Sequence, residues 1–151
     1  MHAIFHAVFF FLHELADENR MLISAATAMA AAQAVKFVVA SVRARTVLSE
    51  RLVSSGGMPS AHSAMVTALG TAVGSTHGWH SDLFAVVAVF AVIVLYDAVN
   101  IRYAVGQQAH FLNSFLGQGD DPEFKEQLGH TPQEVVAGAV LGVIVALLFY
   151  I

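Results

Sequence analysis

The chain of 151 residues has no cysteine, only three prolines and one tryptophan, and just 12% of its residues are charged. Without cysteine there is no disulfide framework and no thiolate chemistry, and the redox compartment leaves no mark on the composition. With 7 Lys and Arg against 11 Asp and Glu, the formal net charge is -4, so no broad basic surface exists to bind nucleic acid. The shortage of charge also argues against an ordinary soluble fold, because 57% of the residues are hydrophobic. No long repeat, low-complexity tract or linker interrupts residues 1–151, which are expected to form a single helical membrane domain.

What is present is a series of apolar helical stretches. Phe5 to Leu12 within Met1 to Leu15 falls short of the roughly 20 residues needed to cross a bilayer, so an interfacial N-terminal helix is expected there. No basic residue precedes it, as a cleaved signal would require. Its histidines, His2, His6 and His13, are too widely spaced for a compact metal cluster. Met21 to Val42 is the first full span, rich in small residues suited to close helix contacts. Lys36 lies inside it, and a lysine at that depth is costly unless it faces protein or water. Arg43 follows seven residues later, two turns along the same face.

Gly56-Gly57-Met58-Pro59-Ser60-Ala61-His62 leads from a polar loop into the second span, Pro59 to about Thr76, with Pro59 expected at the first helical position. Free N–H groups and the positive end of the helix dipole favour an anion there; Ser60 adds a hydroxyl and His62 a group that titrates near neutrality. After the turn Ser75 to Asp82, a third span runs from Leu83 to about Asn100 and ends on Asp97 and Arg102, expected as a buried carboxylate with a cation partner. Tyr103 to Leu116 is expected as an amphipathic helix on the membrane surface, with His110 on its wet side, and Gly117 to Gln127 as an acidic exposed loop. The last span, Pro132 to Ile151, opens with Thr131 as N-cap, Pro132 as first residue and Glu134 as third, a capping box. His130 and Glu134 are four apart, so the same carboxylate is also placed to orient an imidazole.

If the Ser75 to Asp82 turn lies on one membrane face, counting spans puts Arg43, His62, Arg102 and His130 on the other. Histidines, cations and two helix N-termini would then form an anion-binding pocket capable of acid/base chemistry at headgroup depth. A zinc site from His62, Asp97, His130 and Glu134 is a rival, opposed by the repulsion of the nearby cations.

These motifs carry a family resemblance. Lys36 with Arg43, Pro59-Ser60-Ala61-His62, and His130 with Glu134 resemble, in order, the three signature motifs of the type-2 phosphatidic acid phosphatase and vanadium haloperoxidase superfamily. Gly56-Gly57-Met58-Pro59-Ser60, the Tyr96-Asp97 and Arg102 segment and Leu128-Gly129-His130-Thr131-Pro132 are similar to its divergent, small membrane branch, over about Gln33 to Gly142. The resemblance implies phosphate binding by Lys36, Arg43 and Ser60, a leaving-group acid in His62, and a nucleophile in His130 helped by Glu134. The chain departs from the pattern at Ala44 (usually proline), Ala61 (glycine), Glu134 (aspartate) and Phe124, where the third motif usually has arginine. Arg102, held by Asp97, is expected to stand in for that arginine.

The expectation is therefore an all-α, polytopic helical membrane protein with about four transmembrane helices, a short N-terminal interfacial helix and an amphipathic helix. It would act as a phosphatase on a lipid phosphate or diphosphate through a phosphohistidine, with no metal or other cofactor. A non-catalytic lipid-phosphate binding or assembly protein, favoured by the missing arginine, is the alternative. The expected partner is the phosphorylated membrane lipid, with further copies of the chain in any assembly. Arg45, Arg51 and Lys125 on the motif side, against Arg20 on the other, point to a cytoplasmic site.

Overall fold

The computed structural model describes residues 19–45, 57–116, 124 and 129–150, apart from the side chain of Arg43. The expected interfacial helix Met1 to Leu15 and all of the Gly117 to Gln127 loop except Phe124 lie outside them. The described residues form five helices: α1 (Arg20–Ala44), α2 (Ala61–His77), α3 (Asp82–Val99), α4 (Ile101–Leu116) and α5 (Pro132–Leu148). No strand occurs among them, and the protein is an all-helical membrane protein. The helical runs Arg20–Val42 and Asp82–Leu116 are each long and apolar enough to cross a bilayer, and Pro132–Leu148 is a shorter apolar helix.

Helix α2 is the centre of the bundle, packed against α1, α3 and α5. It carries more hydroxyls than its neighbours, and lipid offers them no partner, so they turn back on the helix. Thr67 Oγ1 donates to Ser63 O (2.7 Å), Thr71 Oγ1 to Thr67 O (2.8 Å) and Thr76 Oγ1 to Ala72 O (2.9 Å). Thr67 also lies 3.0 Å from Ala139 O, which ties α2 to α5.

Small residues let these helices approach closely. Ala28, Ala32, Ala64, Ala68 and Ala146 are fully buried in one cluster. On α5, a Cβ built on Gly138 would stand 2.3 Å from Ser60 O, and one on Gly142 2.2 Å from Ala64 O. No side chain fits there, so the α5 backbone lies directly on that of α2. Helix α3, by contrast, buries only Ala98 and presents Val86, Val89, Val92 and Ile93 outward, as a lipid-facing helix does.

The turn between α2 and α3 is closed by Ser81, whose hydroxyl accepts from Phe84 N (3.2 Å). Trp79 meets Phe84 edge to face at 5.2 Å between ring centres and covers Gly74, where a Cβ would be 2.5 Å from the indole. A half-exposed tryptophan at this turn suits a membrane-water boundary.

Three expectations need correction. Helix α2 starts at Ala61 with Ser60 as its N-cap, so Pro59 lies outside the helix and not at its first position. The reason is the Ser60 hydroxyl, which accepts from Ser63 N and so satisfies one of the donors left over at the helix start. Asp97 is also less buried than expected, with 29% of its side chain exposed, because α3 reaches the edge of the bundle there. The amphipathic helix begins at Ile101, two residues earlier than expected, with Asn100 alone separating it from α3.

Candidate active site

Three chain segments meet at the end of the bundle opposite Trp79, and backbone bonds join them. Ser60 N–H donates to Glu134 O (3.0 Å), linking the start of α2 to the first turn of α5. His130 N–H donates to Ala98 O (3.0 Å), linking the entry to α5 to the end of α3. Gly129 has φ +87, and a Cβ there would be 2.3 Å from Tyr103 N, so only glycine permits this approach to the start of α4.

The capping box of α5 is present as expected. Thr131 Oγ1 accepts from Glu134 N (3.4 Å), and Glu134 Oε2 accepts from Thr131 N (3.0 Å). The same Oε2 lies 3.2 Å from Nδ1 of His130. One oxygen therefore both caps the helix and holds the imidazole. With Glu134 ionised, Nδ1 carries the proton and donates it, which leaves the lone pair on Nε2. Burial pushes the His130 pKa below its ordinary 6.5, against the hydrogen bond and charge of Glu134, which raise it, while the charges of Lys36 and His62 also lower it. At neutral pH the ring is thus a neutral base, only 5% exposed.

His62 sits in the first turn of α2, exposed, within electrostatic reach of Arg102, Lys36 and Asp97. Ser60 is fully buried, and its Oγ accepts from Ser63 Oγ (2.8 Å). Lys36 is 5% exposed, and its stem runs past Gly57, where a Cβ would stand 3.7 Å from Cδ. It lines a cavity of about 1050 Å³ bounded by α1, the 57–59 segment and the first turns of α5, into which Thr131, Gln133 and Glu134 also face. Arg102 Nε lies 2.5 Å from Asp97 Oδ2, the expected pair, with the guanidinium half exposed.

The structure thus brings together Lys36, Ser60, His62, Asp97, Arg102, His130 and Glu134 at one end of the bundle. The Arg43 side chain lies outside the described residues, although its backbone continues α1 two turns beyond Lys36. Phe124 is exposed and joined to Asn113 through Asn113 Nδ2 to Phe124 O (2.8 Å) and Phe124 N to Asn113 Oδ1 (2.9 Å). Among the described residues, no group of three or more His, Asp and Glu side chains is placed to hold a metal ion.

Sequence reasoning missed the support of this site. Gly138 and Gly142 are four apart, the spacing of a small-residue helix contact, and that signal was available. The Gln133 side chain in the cavity wall and the Asn113 clamp on Phe124 had no local signal.

The profile of the family described as the Divergent PAP2 family matches residues 17–145. An uncharacterized membrane protein, YuiD, of Bacillus subtilis (strain 168) is 38% identical over 146 residues, covering 85% of this chain and 92% of its own. No solved structure matches the chain. A family match that runs from before α1 nearly to the end of α5, with a relative this similar over almost its whole length, means that the chain belongs to the Divergent PAP2 family, a branch of a phosphatase-related superfamily.

Proposed function

We propose that the protein is a phosphatase of membrane lipid phosphates or diphosphates that works through a phosphohistidine. The observation that carries this reading is the His130–Glu134 pair: a buried, neutral imidazole with Nδ1 held by a carboxylate and Nε2 left as a nucleophile. Nε2 attacks phosphorus, the bond from phosphorus to the ester or anhydride oxygen breaks, and His62 gives that oxygen its proton. Water then attacks the phosphohistidine, His62 takes the proton, and inorganic phosphate leaves. Lys36, Arg43, Ser60 and Arg102 neutralise the phosphoryl oxygens, which is most of what phosphoryl transfer asks of a protein. Asp97 keeps the Arg102 guanidinium oriented through its Nε, leaving the terminal nitrogens for two phosphate oxygens. The scheme calls for no metal.

We infer a cytoplasmic site from the sequence, in which Arg45, Arg51 and Lys125 accompany the motifs and Arg20 precedes the first span at its opposite end. A second reading, a lipid-phosphate binder without turnover, draws on the phenylalanine at position 124 and on the complete burial of Ser60.

Phosphate release by purified protein separates the two. The panel is phosphatidate, phosphatidylglycerol phosphate, and polyprenyl phosphates and diphosphates. Release from one of these, inhibited by vanadate as a mimic of the five-coordinate transition state and unaffected by chelators, is the expected result. Binding without release on the whole panel would favour the second reading.

A further inference from the structure

Helix α4 has an outer face that the bundle leaves uncovered. At 100° per residue, an arc of about 140° holds Ala104, one polar residue, Gln108, and six large apolar residues, Ile101, Val105, Phe111, Leu112, Phe115 and Leu116. All six are exposed, Phe115 to 80%, and Phe111 and Phe115 stack with 6.4 Å between their rings. The opposite arc holds Tyr103, Gln107, His110 and Ser114, so the only Lys or Arg in the helix is Arg102, already paired with Asp97. The packing that α4 does have lies on one flank, where Gly106 and Ala109 are buried.

Two ties join α4 to neighbouring segments, and the second leads to the active site. Asn113 holds the Phe124 backbone at both its N–H and its carbonyl. The backbone of Arg102 and Tyr103 supports Gly129, whose neighbour His130 is bonded in turn to Ala98 at the end of α3. The nucleophile is thus seated on the junction of α3 and α4.

We propose that α4 lies in the plane of the leaflet with its apolar arc among the acyl chains, held there by apolar insertion and not by lipid charge, and that this seating holds the His130 segment in place. Continuity with α3 identifies the occupant. Asp82–Leu116 together comprise 35 residues, a straight length of about 52 Å against a hydrocarbon core of about 30 Å, so the second half has to leave the membrane or run along it. An exposed row of phenylalanine and leucine continuous with a lipid-facing helix runs along it. A polar arc without lysine gives anionic headgroups nothing to attract, so insertion depends on room among the chains, and salt has no effect on it.

The test uses the full-length protein in phosphatidylcholine vesicles, in a Trp79→Phe background that removes the single native tryptophan. Fluorescence of a Phe115→Trp probe should be quenched by lipids brominated on the upper acyl chain, and hardly by iodide. A Tyr103→Trp probe on the polar arc should show the reverse, and neither pattern should change between low and high salt. Iodide reaching both probes equally would overturn the in-plane placement. Protection of the Phe115→Trp probe from both quenchers would overturn it in favour of a second copy of the chain on this face.

The tie to the site is read by residue-resolved hydrogen exchange. Leu112→Asp with Phe115→Asp should raise exchange at the Phe124 and His130 amides several-fold while α1 and α2 keep their protection. Asn113→Ala, which leaves the apolar arc intact, should release Phe124 in the same way. Unchanged exchange at these amides in both variants would refute the coupling. No readout depends on turnover, so failure here and failure of the phosphatase reading are separate results.

Discussion

Replacing Gly138 by alanine tests whether the α2–α5 contact holds the site together. The added Cβ would stand 2.3 Å from Ser60 O and 3.0 Å from Ser63 Cβ. A normal contact with the carbonyl oxygen requires the helices to part by about 1 Å. Overpacking of this kind costs about 1–3 kcal/mol, and the better helix propensity of alanine returns at most about 1 kcal/mol. The return is smaller in a membrane, where helices persist in the unfolded reference state. Ser60 donates its N–H to Glu134 O at 3.0 Å, so the same displacement pulls on the turn that orients His130. A shift of that size in a catalytic frame lowers the rate by about 100-fold. Gly70→Ala is the control, because its Cβ meets only Val87 Cγ1 at 3.9 Å, an ordinary contact. Thermal unfolding in detergent and steady-state kinetics should show Gly138→Ala less stable and much slower, with Gly70→Ala at or slightly above wild type in stability. Equal behaviour of the two variants, whether both harmless or both damaging, would refute the argument.

The acid limb of kcat/KM should lie below pH 6.5, since activity is lost as His130 takes a proton and burial has lowered its pKa. Glu134→Gln removes the charge that raises that pKa and leaves at most a weaker, neutral acceptor for Nδ1, so the limb should move further to acid while the maximal rate falls; a shift toward higher pH would contradict the pairing. Arg102→Lys keeps the charge but loses the two-pronged donor, and Asp97→Asn loosens the arginine, so both should lose much of the rate; near-wild-type kinetics in Arg102→Lys would sink its role as the substitute for the arginine missing at Phe124. Thr131→Ala should cost about 1 kcal/mol through loss of the N-cap, measured by thermal unfolding. An impermeant thiol reagent applied to intact cells should label a cysteine at exposed His80 and spare one at Gly119; labelling of Gly119 alone would reverse the orientation.

Local chemistry made part of this protein readable in advance. Thr131-Pro132-Gln133-Glu134 spells a capping box in adjacent residues, and the structure has both of its hydrogen bonds. The cost of an isolated charge called for a cation beside Asp97, with Arg102 or the Lys36 and Arg43 pair as candidates, and Arg102 is its partner. Lys36 was expected to face protein or water and not lipid, and it is buried within the protein. The start of α2 was placed at the wrong residue because proline and serine both suit a helix entrance, and the choice falls to Ser60 through its contact with Ser63. The bonds from Ser60 to Glu134 and from His130 to Ala98 join residues tens of positions apart, so no local window contains either pairing, although the spacing of Gly138 and Gly142 marks the close α2–α5 approach beside the first.

The claim on which the account depends is that Nε2 of His130 becomes phosphorylated. Wild-type protein quenched rapidly in alkali during turnover of a lipid phosphate it hydrolyses, then digested and analysed by mass spectrometry, should carry a phosphoryl group on His130. His130→Ala should carry none, should remain folded, and should lose several orders of magnitude in rate. Turnover by wild-type protein with no phosphohistidine at any time point, or substantial phosphate release by folded His130→Ala, would contradict it.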